Sequence, residues 1–494
     1  MLTDARSLSA DTTLDADVCI IGAGPAGLTL ALELRGLRVV LLESGGFYPA
    51  PATQTLAEGE VAGEPYWALE TSRLRCFGGT SAHWTGWCRP LDRGDFEARP
   101  WVEESGWPFA YDELVPYYHR AQAVCGLGEF DYDAARWAQR LGFSLLPLDK
   151  SSLVTSLWQL SRPIRFGEAY RDAIASSPDV QAYLHATVTE LHWLPRSQRV
   201  ELALARTLEG RSLRVRAQVF VIAAGGIDNA RLLLASNAPY GIGNGNGLVG
   251  RFFLEHPHAA IGIVLAQRSE AWRAYENVFD VPGAAPPAVR ATLAIAPEVQ
   301  RRERLLNSSV GIEPLQGVPA FSGAAGMTAR LLARKFQGID AGVMFELYAR
   351  AEQYPSADSY VRLTNQRDAV GMPRVALHWR HHPHTLWSMR RSLELIAEAF
   401  GAAHIGRLYS YMHDGPRRIG AFPEIFGGYH HMGTTRMHAD ARRGVVDANC
   451  RVHGTGNLFV AGSSVFPNGG YANPTLTLVA LALRLADFLK RSSV

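Results

Sequence analysis

The chain has 494 residues, 47% of them hydrophobic, with 49 Lys and Arg against 47 Asp and Glu for a net charge of +2. That length implies two or more lobes with sizeable cores, and the even charge balance supplies no field for nucleic acid. Five scattered cysteines (Cys19, Cys76, Cys88, Cys125, Cys450) without a CxxC pair argue against zinc, an iron–sulfur cluster or a disulfide framework, so no metal site is expected.

Residues Met1 to Asp17 are polar and lead straight into a strand, unlike a secretory signal or a transit peptide, so cytoplasmic residence is the expectation. No apolar stretch approaches the roughly 20 uncharged residues of a membrane span. Asp17-Val18-Cys19-Ile20-Ile21-Gly22-Ala23-Gly24-Pro25-Ala26-Gly27, a helical run to Leu34, and Leu37-Arg38-Val39-Val40-Leu41-Leu42-Glu43 read as strand, turn, helix, strand. Gly22 allows the tight turn, Gly24 lets backbone approach a pyrophosphate, and Gly27 lets the helix lie close to the sheet. The helix N-terminus offers free N–H groups to phosphates, and Glu43 is placed to accept hydrogen bonds from an adenosine ribose. Dinucleotide binding is expected here.

Phe77-Gly78-Gly79-Thr80-Ser81-Ala82-His83-Trp84-Thr85-Gly86-Trp87 is too irregular for a strand and too glycine-rich for a helix, and reads as a loop against a ligand. Spaced apolar residues predict a helix over Tyr111 to Val124. A second strand-to-glycine turn follows at Val219-Phe220-Val221-Ile222-Ala223-Ala224-Gly225-Gly226, with a helix over Ala230 to Ala235. Gly241 to Gly250 is a turn region or linker, and Glu255-His256-Pro257-His258 closes this block. From Ala259 to Phe426 the pattern changes to strand-like runs, a Pro/Gly stretch near Val281 to Ala288, and basic helices such as Ala329 to Lys335, the candidate substrate lobe. Asn457-Leu458-Phe459-Val460-Ala461-Gly462 reads as a short buried strand, and Pro474 opens an apolar helix to about Lys490.

The chemistry concentrates in Tyr429-His430-His431-Met432-Gly433-Thr434-Thr435-Arg436-Met437 and in Gly470-Tyr471-Ala472-Asn473-Pro474-Thr475. An imidazole that takes a hydroxyl proton and an amide that holds the same oxygen are what alcohol dehydrogenation needs, once a cofactor collects the hydride. Asn473 and Pro474 also have a purely structural explanation, as the N-cap and first residue of a helix. The two roles are compatible. The positive end of that helix would in addition suit the negative charge of a reduced flavin at N1 and O2.

The N-terminal glycine fingerprint, the Gly78-Gly79-Thr80-Ser81 loop, His430-x-x-Gly433-Thr434 and Asn473-Pro474-Thr475 together resemble the glucose–methanol–choline (GMC) oxidoreductase family across almost the whole chain. The resemblance implies an α/β fold, α+β overall: a doubly wound, Rossmann-like FAD-binding domain from 1–94, 181–258 and 427–494, and a sheet-plus-helix substrate domain from 95–180 and 259–426. It implies FAD as cofactor, His430 as catalytic base and Asn473 as its partner, with His431 second in rank, toward substrate. Ser81-Ala82-His83-Trp84-Thr85 is similar to the pyranose 2-oxidase segment whose histidine carries covalent FAD. His83 either carries such a bond or only stacks or hydrogen-bonds near the flavin. By the same resemblance Gly79, Thr80, Ser81, Gly462, Ser463, Pro474 and Thr475 line the flavin, and Val188 contacts the adenine through backbone or is plain core. Trp84, Trp87, Tyr429 and Tyr471 are candidates to line a sugar-sized pocket.

These residues imply oxidation of an alcohol CH–OH to a carbonyl, with hydride passing to flavin N5. The pyranose 2-oxidase-like branch points to a sugar, glycoside or polyol. Oxidation of a secondary alcohol on a non-sugar natural product, a lyase that retains FAD as structure, and an NAD-dependent dehydrogenase are the competing readings. Oxygen, a quinone or another acceptor remains open as the reoxidant.

Overall fold

A computed structural model describes the chain except for residues 162–163, 268, 282–286, 315–342, 413–423 and 493–494. The expected helix Ala329 to Lys335 and most of the Pro/Gly stretch near 281–288 lie outside the described residues.

The N-terminal fingerprint folds as read. The strand Thr12–Ile21 leads into the helix Pro25–Glu33, which has Pro at its first position, and then into the strand Val39–Leu42. These strands are parallel neighbours in a sheet ordered Leu2–Asp4, Val180–Leu184, Val39–Leu42, Thr12–Ile21, Ser212–Ile222, Arg199–Arg206, Thr187–Leu194. Leu458–Val460 adds in parallel beside the C-terminal end of Ser212–Ile222, while Arg199–Arg206 pairs antiparallel with the N-terminal half of that strand. The central strands are continuous apolar runs because both of their faces are covered. The apolar C-terminal helix Thr475–Arg491 packs on Pro25–Glu33 and on the helix Tyr111–Val124.

The second sheet is antiparallel, ordered Gly406–Ser410, Pro257–Ala266, Val343–Ala351, Ser308–Pro314, Pro287–Ile295, Leu153–Ser161, Trp87–Cys88. Its two faces differ, as period-two alternation requires. Phe345, Leu347 and Ala349 join Met389, Leu393, Ile396 and Phe400 of the helix Pro383–Ala402 in one apolar core. Glu346, Tyr348 and Arg350 share the opposite face.

The expected boundary at residue 94 does not follow the sheets. Trp87–Cys88 pairs with Leu153–Ser161 in the second sheet, and Gly59–Gly63 joins Pro373–Trp379 and Tyr360–Arg367 in a third, three-stranded sheet. Neither short segment carries an alternation long enough to reveal its partner, and both pairings are non-local.

Candidate active site

One cavity of ≈ 470 Å³ runs between the two glycine turns, from Glu43 and Val188 to His430 and Asn473. Gly22, Gly24, Gly79, Thr80, Ser81, His83, Trp84, His431, Gly462, Ser463, Pro474 and Thr475 also line it, so residues predicted from widely separated stretches of sequence come together. Gly27 stands behind the wall, where a Cβ would lie 1.9 Å from the Gly22 carbonyl oxygen. Tyr471 does not line the cavity. Its hydroxyl bonds Ser156 Oγ at 2.8 Å and its ring meets Trp158 and the Arg89 guanidinium, so it is a buried core residue and not part of the cavity wall.

At the nucleotide end, Glu43 is buried and accepts N–H bonds from Ala23 (2.9 Å) and Gly45 (2.8 Å). Burial pushes its carboxyl up to about 7, against the pull of those donors and of Arg75. Beside it, Arg73 and Arg75 both hold Asp228, at 2.8 and 2.6 Å, and Arg75 also reaches Ser44 Oγ. Burial works against ionised Asp228, but Arg75, Arg73 and Arg231 keep its pKa below the ordinary carboxylate range. Arg73 Nη2 and Arg75 Nε are buried without a protein partner. Sequence reasoning missed this cluster, although two arginines one residue apart before Gly78-Gly79 were a visible signal.

Ser81 and Thr80 hold the loop itself: Ser81 Oγ donates to the Gly78 carbonyl at 2.6 Å, and Thr80 Oγ1 accepts from Leu74 N–H at 3.2 Å. The Trp84 indole N–H is engaged by the Ile164 carbonyl at 2.8 Å. Val188 is buried and paired with Ala205.

At the reaction end, Asn473 does not cap its helix. The helix Thr475–Arg491 has no side-chain cap hydrogen bond, and Asn473 Oδ1 is buried without a partner. A buried unpaired carboxamide oxygen costs on the order of 1–3 kcal/mol, a cost that a ligand group donating a hydrogen bond to it would remove. His430 Nδ1 lies 2.9 Å from His256 Nδ1, and its ring centroid is 5.8 Å from that of His258. Burial, then His256 and His258, push its pKa well below the ordinary imidazole value, so it is neutral and able to act as a base. His431 turns the other way: its Nε2 pairs with Tyr66 Oη at 2.9 Å, and burial lowers it to about 3.

Beneath both histidines lies Glu255, fully buried. Its carboxylate accepts the backbone N–H of His256 (2.8 Å), Gly428 (3.0 Å) and His430 (2.8 Å) and the Tyr66 hydroxyl. Tyr66, Glu255, His256 and His258 were not predicted as site residues; the His256-Pro257-His258 run was the only local hint.

The described residues fit a flavin dinucleotide. A glycine cradle with a buried acidic residue closes one end, and unpartnered polar atoms of Asn473 and Arg73 mark the walls. Family models agree: residues 17–242 match "FAD dependent oxidoreductase" and residues 355–482 match "GMC oxidoreductase".

The chain belongs to the GMC oxidoreductase family.

As a member it is an FAD-dependent oxidoreductase of the type that acts on CH–OH donors. It is 24% identical to 2-methyl-1,2-propanediol dehydrogenase of Mycolicibacterium austroafricanum over 98% of this chain and 96% of that protein. It is 26% identical to the fructose dehydrogenase large subunit of Gluconobacter japonicus over 96% of this chain and 98% of that subunit. The fold matches pyridoxine 4-oxidase from Mesorbium loti at a TM-score of 0.59 and 19% identity, covering 96% and 99% of the two chains. Among the described residues, no helix is long and apolar enough to cross a membrane.

Proposed function

We propose that this protein oxidises an alcohol group of a polyhydroxylated substrate, a sugar, glycoside or polyol, to a carbonyl, with His430 as base and Asn473 as the group that holds the reacting oxygen. FAD, when bound, supplies the two-electron acceptor. His430 takes the hydroxyl proton at Nε2, the ring nitrogen not engaged by His256, while the Asn473 Nδ2–H donates to the same oxygen. In this reading the first sheet and its helices, drawn mainly from 1–94, 181–258 and 427–494, hold the cofactor, and 95–180 with 259–426 supply the substrate side.

The observation that carries the substrate class is the polar face of the second sheet. Glu346 Oε1, Arg350 Nη1 and His258 Nε2 are buried there without partners, and His258 links that face to His430. His258 and Arg350 are direct cross-strand neighbours. Orphaned donors and acceptors on a buried face suit a ligand rich in hydroxyls and would penalise a purely apolar alcohol. The fructose and diol names of the two full-length relatives support the same reading.

Anaerobic flavin bleaching across monosaccharides, glycosides, diols and apolar secondary alcohols tests it. Hydroxyl-rich compounds should bleach the flavin, and reaction only with apolar alcohols would reject the substrate class. His430→Ala should slow bleaching by about 10²–10⁴-fold while FAD stays bound; unchanged bleaching would remove the assignment. His83 lines the cavity and is exposed. Acid precipitation decides covalency there: a yellow pellet that turns colourless in His83→Ala assigns the bond, and a colourless wild-type pellet excludes it.

A further inference from the structure

We propose that His256 is a positioning residue that fixes the tautomer of His430, so that His430 meets the substrate hydroxyl with a bare Nε2. This rests on the reading of His430 as the base. Leu254 and Met432 exchange backbone hydrogen bonds, each 2.9 Å, in an isolated antiparallel bridge. Two residues further along each segment, the period-two geometry brings His256 and His430 opposite one another. Glu255 strengthens the pairing by accepting the backbone N–H of both histidines.

The protons then follow from chemistry. His256 Nε2 faces the Gly469 carbonyl at 3.2 Å. A carbonyl oxygen only accepts, so the His256 proton is on Nε2. A neutral imidazole carries one N–H, which leaves Nδ1 of His256 as a lone pair. His256 is fully buried and stays neutral, its pKa lowered to about 4 by burial. That lone pair lies 2.9 Å from His430 Nδ1, which must therefore carry the hydrogen. His430 Nε2 is left bare. The opposite assignment would set the His256 Nε2 lone pair against the Gly469 oxygen. When His430 takes the substrate hydroxyl proton at Nε2, its Nδ1–H keeps the bond to His256, now donated by a cation and correspondingly stronger.

The test uses holoenzyme labelled with ¹⁵N-histidine, with the ring nitrogens of His430 identified by their loss in His430→Gln. Wild type should show His430 protonated on Nδ1 and bare on Nε2. In His256→Leu the Nε2–H form should appear and anaerobic flavin bleaching should fall about 10–100-fold, the usual effect of removing an orienting partner. His256→Asn retains an acceptor for His430 and a donor for Gly469, and should recover both the tautomer and most of the rate. His430 protonated on Nε2 in wild type would overturn the proposal even if His256→Leu does not fold. So would a leucine variant that keeps the Nδ1–H form. Fast bleaching by His430→Gln would instead sink the base reading, and the proposal with it.

Discussion

The residue scale separates side chains that declare their chemistry from those that acquire it. His430 and Asn473 stand beside family motifs and could be named from sequence. Glu255 could not, because its role depends on four donors brought to it from Tyr66, His256, Gly428 and His430. Burial raises its carboxyl from an ordinary 4.5 to about 7. A folded-state pKa above the unfolded one favours folding at low pH, and that advantage is lost as pH rises from 4.5 through 7. The Glu255→Gln variant lacks this term, so the wild type should lose stability relative to it over that window, by roughly 3 kcal/mol at most. Paired melting curves at pH 5 and pH 7.5 check this, and a wild-type advantage that grows with pH would contradict it. Tyr471 teaches the converse. Beside Asn473 in sequence, it points into the core because its hydroxyl finds Ser156 there.

Local signals were legible at the element scale wherever one turn decides the geometry. Gly22 has φ +106°, a left-handed conformation that glycine accepts at little cost, and a Cβ there would meet the Ala223 oxygen at 2.6 Å. Gly27 lets the helix Pro25–Glu33 close onto the turn. Gly27→Ala should therefore push helix and turn apart, costing about 1–3 kcal/mol by overpacking. Its readout is the ratio of flavin to protein absorbance after purification together with the melting temperature, both of which should fall; a variant with its full complement of flavin and unchanged melting would refute the packing argument. The helices Tyr111–Val124 and Thr475–Arg491 match their expected ranges to within a residue or two, since each has an apolar stripe and a clear start. The helix Pro383–Ala402 was not named among the helices expected in the sheet-plus-helix lobe, although His382 caps it and Pro383 opens it. Its apolar residues cover a sheet whose order no local pattern reveals.

For the whole molecule, distant segments are locked by buried charges. Arg99 pairs with Glu352 through two N–H···O bonds, with the glutamate side chain fully buried, and Arg436 pairs with Glu104 at 2.6 Å. Removing one partner strands the other. Glu352→Ala should lower stability by about 3–5 kcal/mol, seen as a clear drop in melting temperature, whereas a change within error would mean that Arg99 finds another acceptor. Sequence by itself determined the dinucleotide turn, the family and the flavin, and it singled out His430 and Asn473 as the pair to propose as base and partner, because glycine geometry and short motifs are local requirements that few residue types meet. Only the tertiary structure decided that Asn473 leaves its carboxamide oxygen free of any protein partner, that His431 faces Tyr66, and that His256 stands against His430. The last of these depends on pairing between segments 174 residues apart and the second on a contact across 365 residues, and such partners are chosen by the packing of the whole chain, which no window of sequence contains.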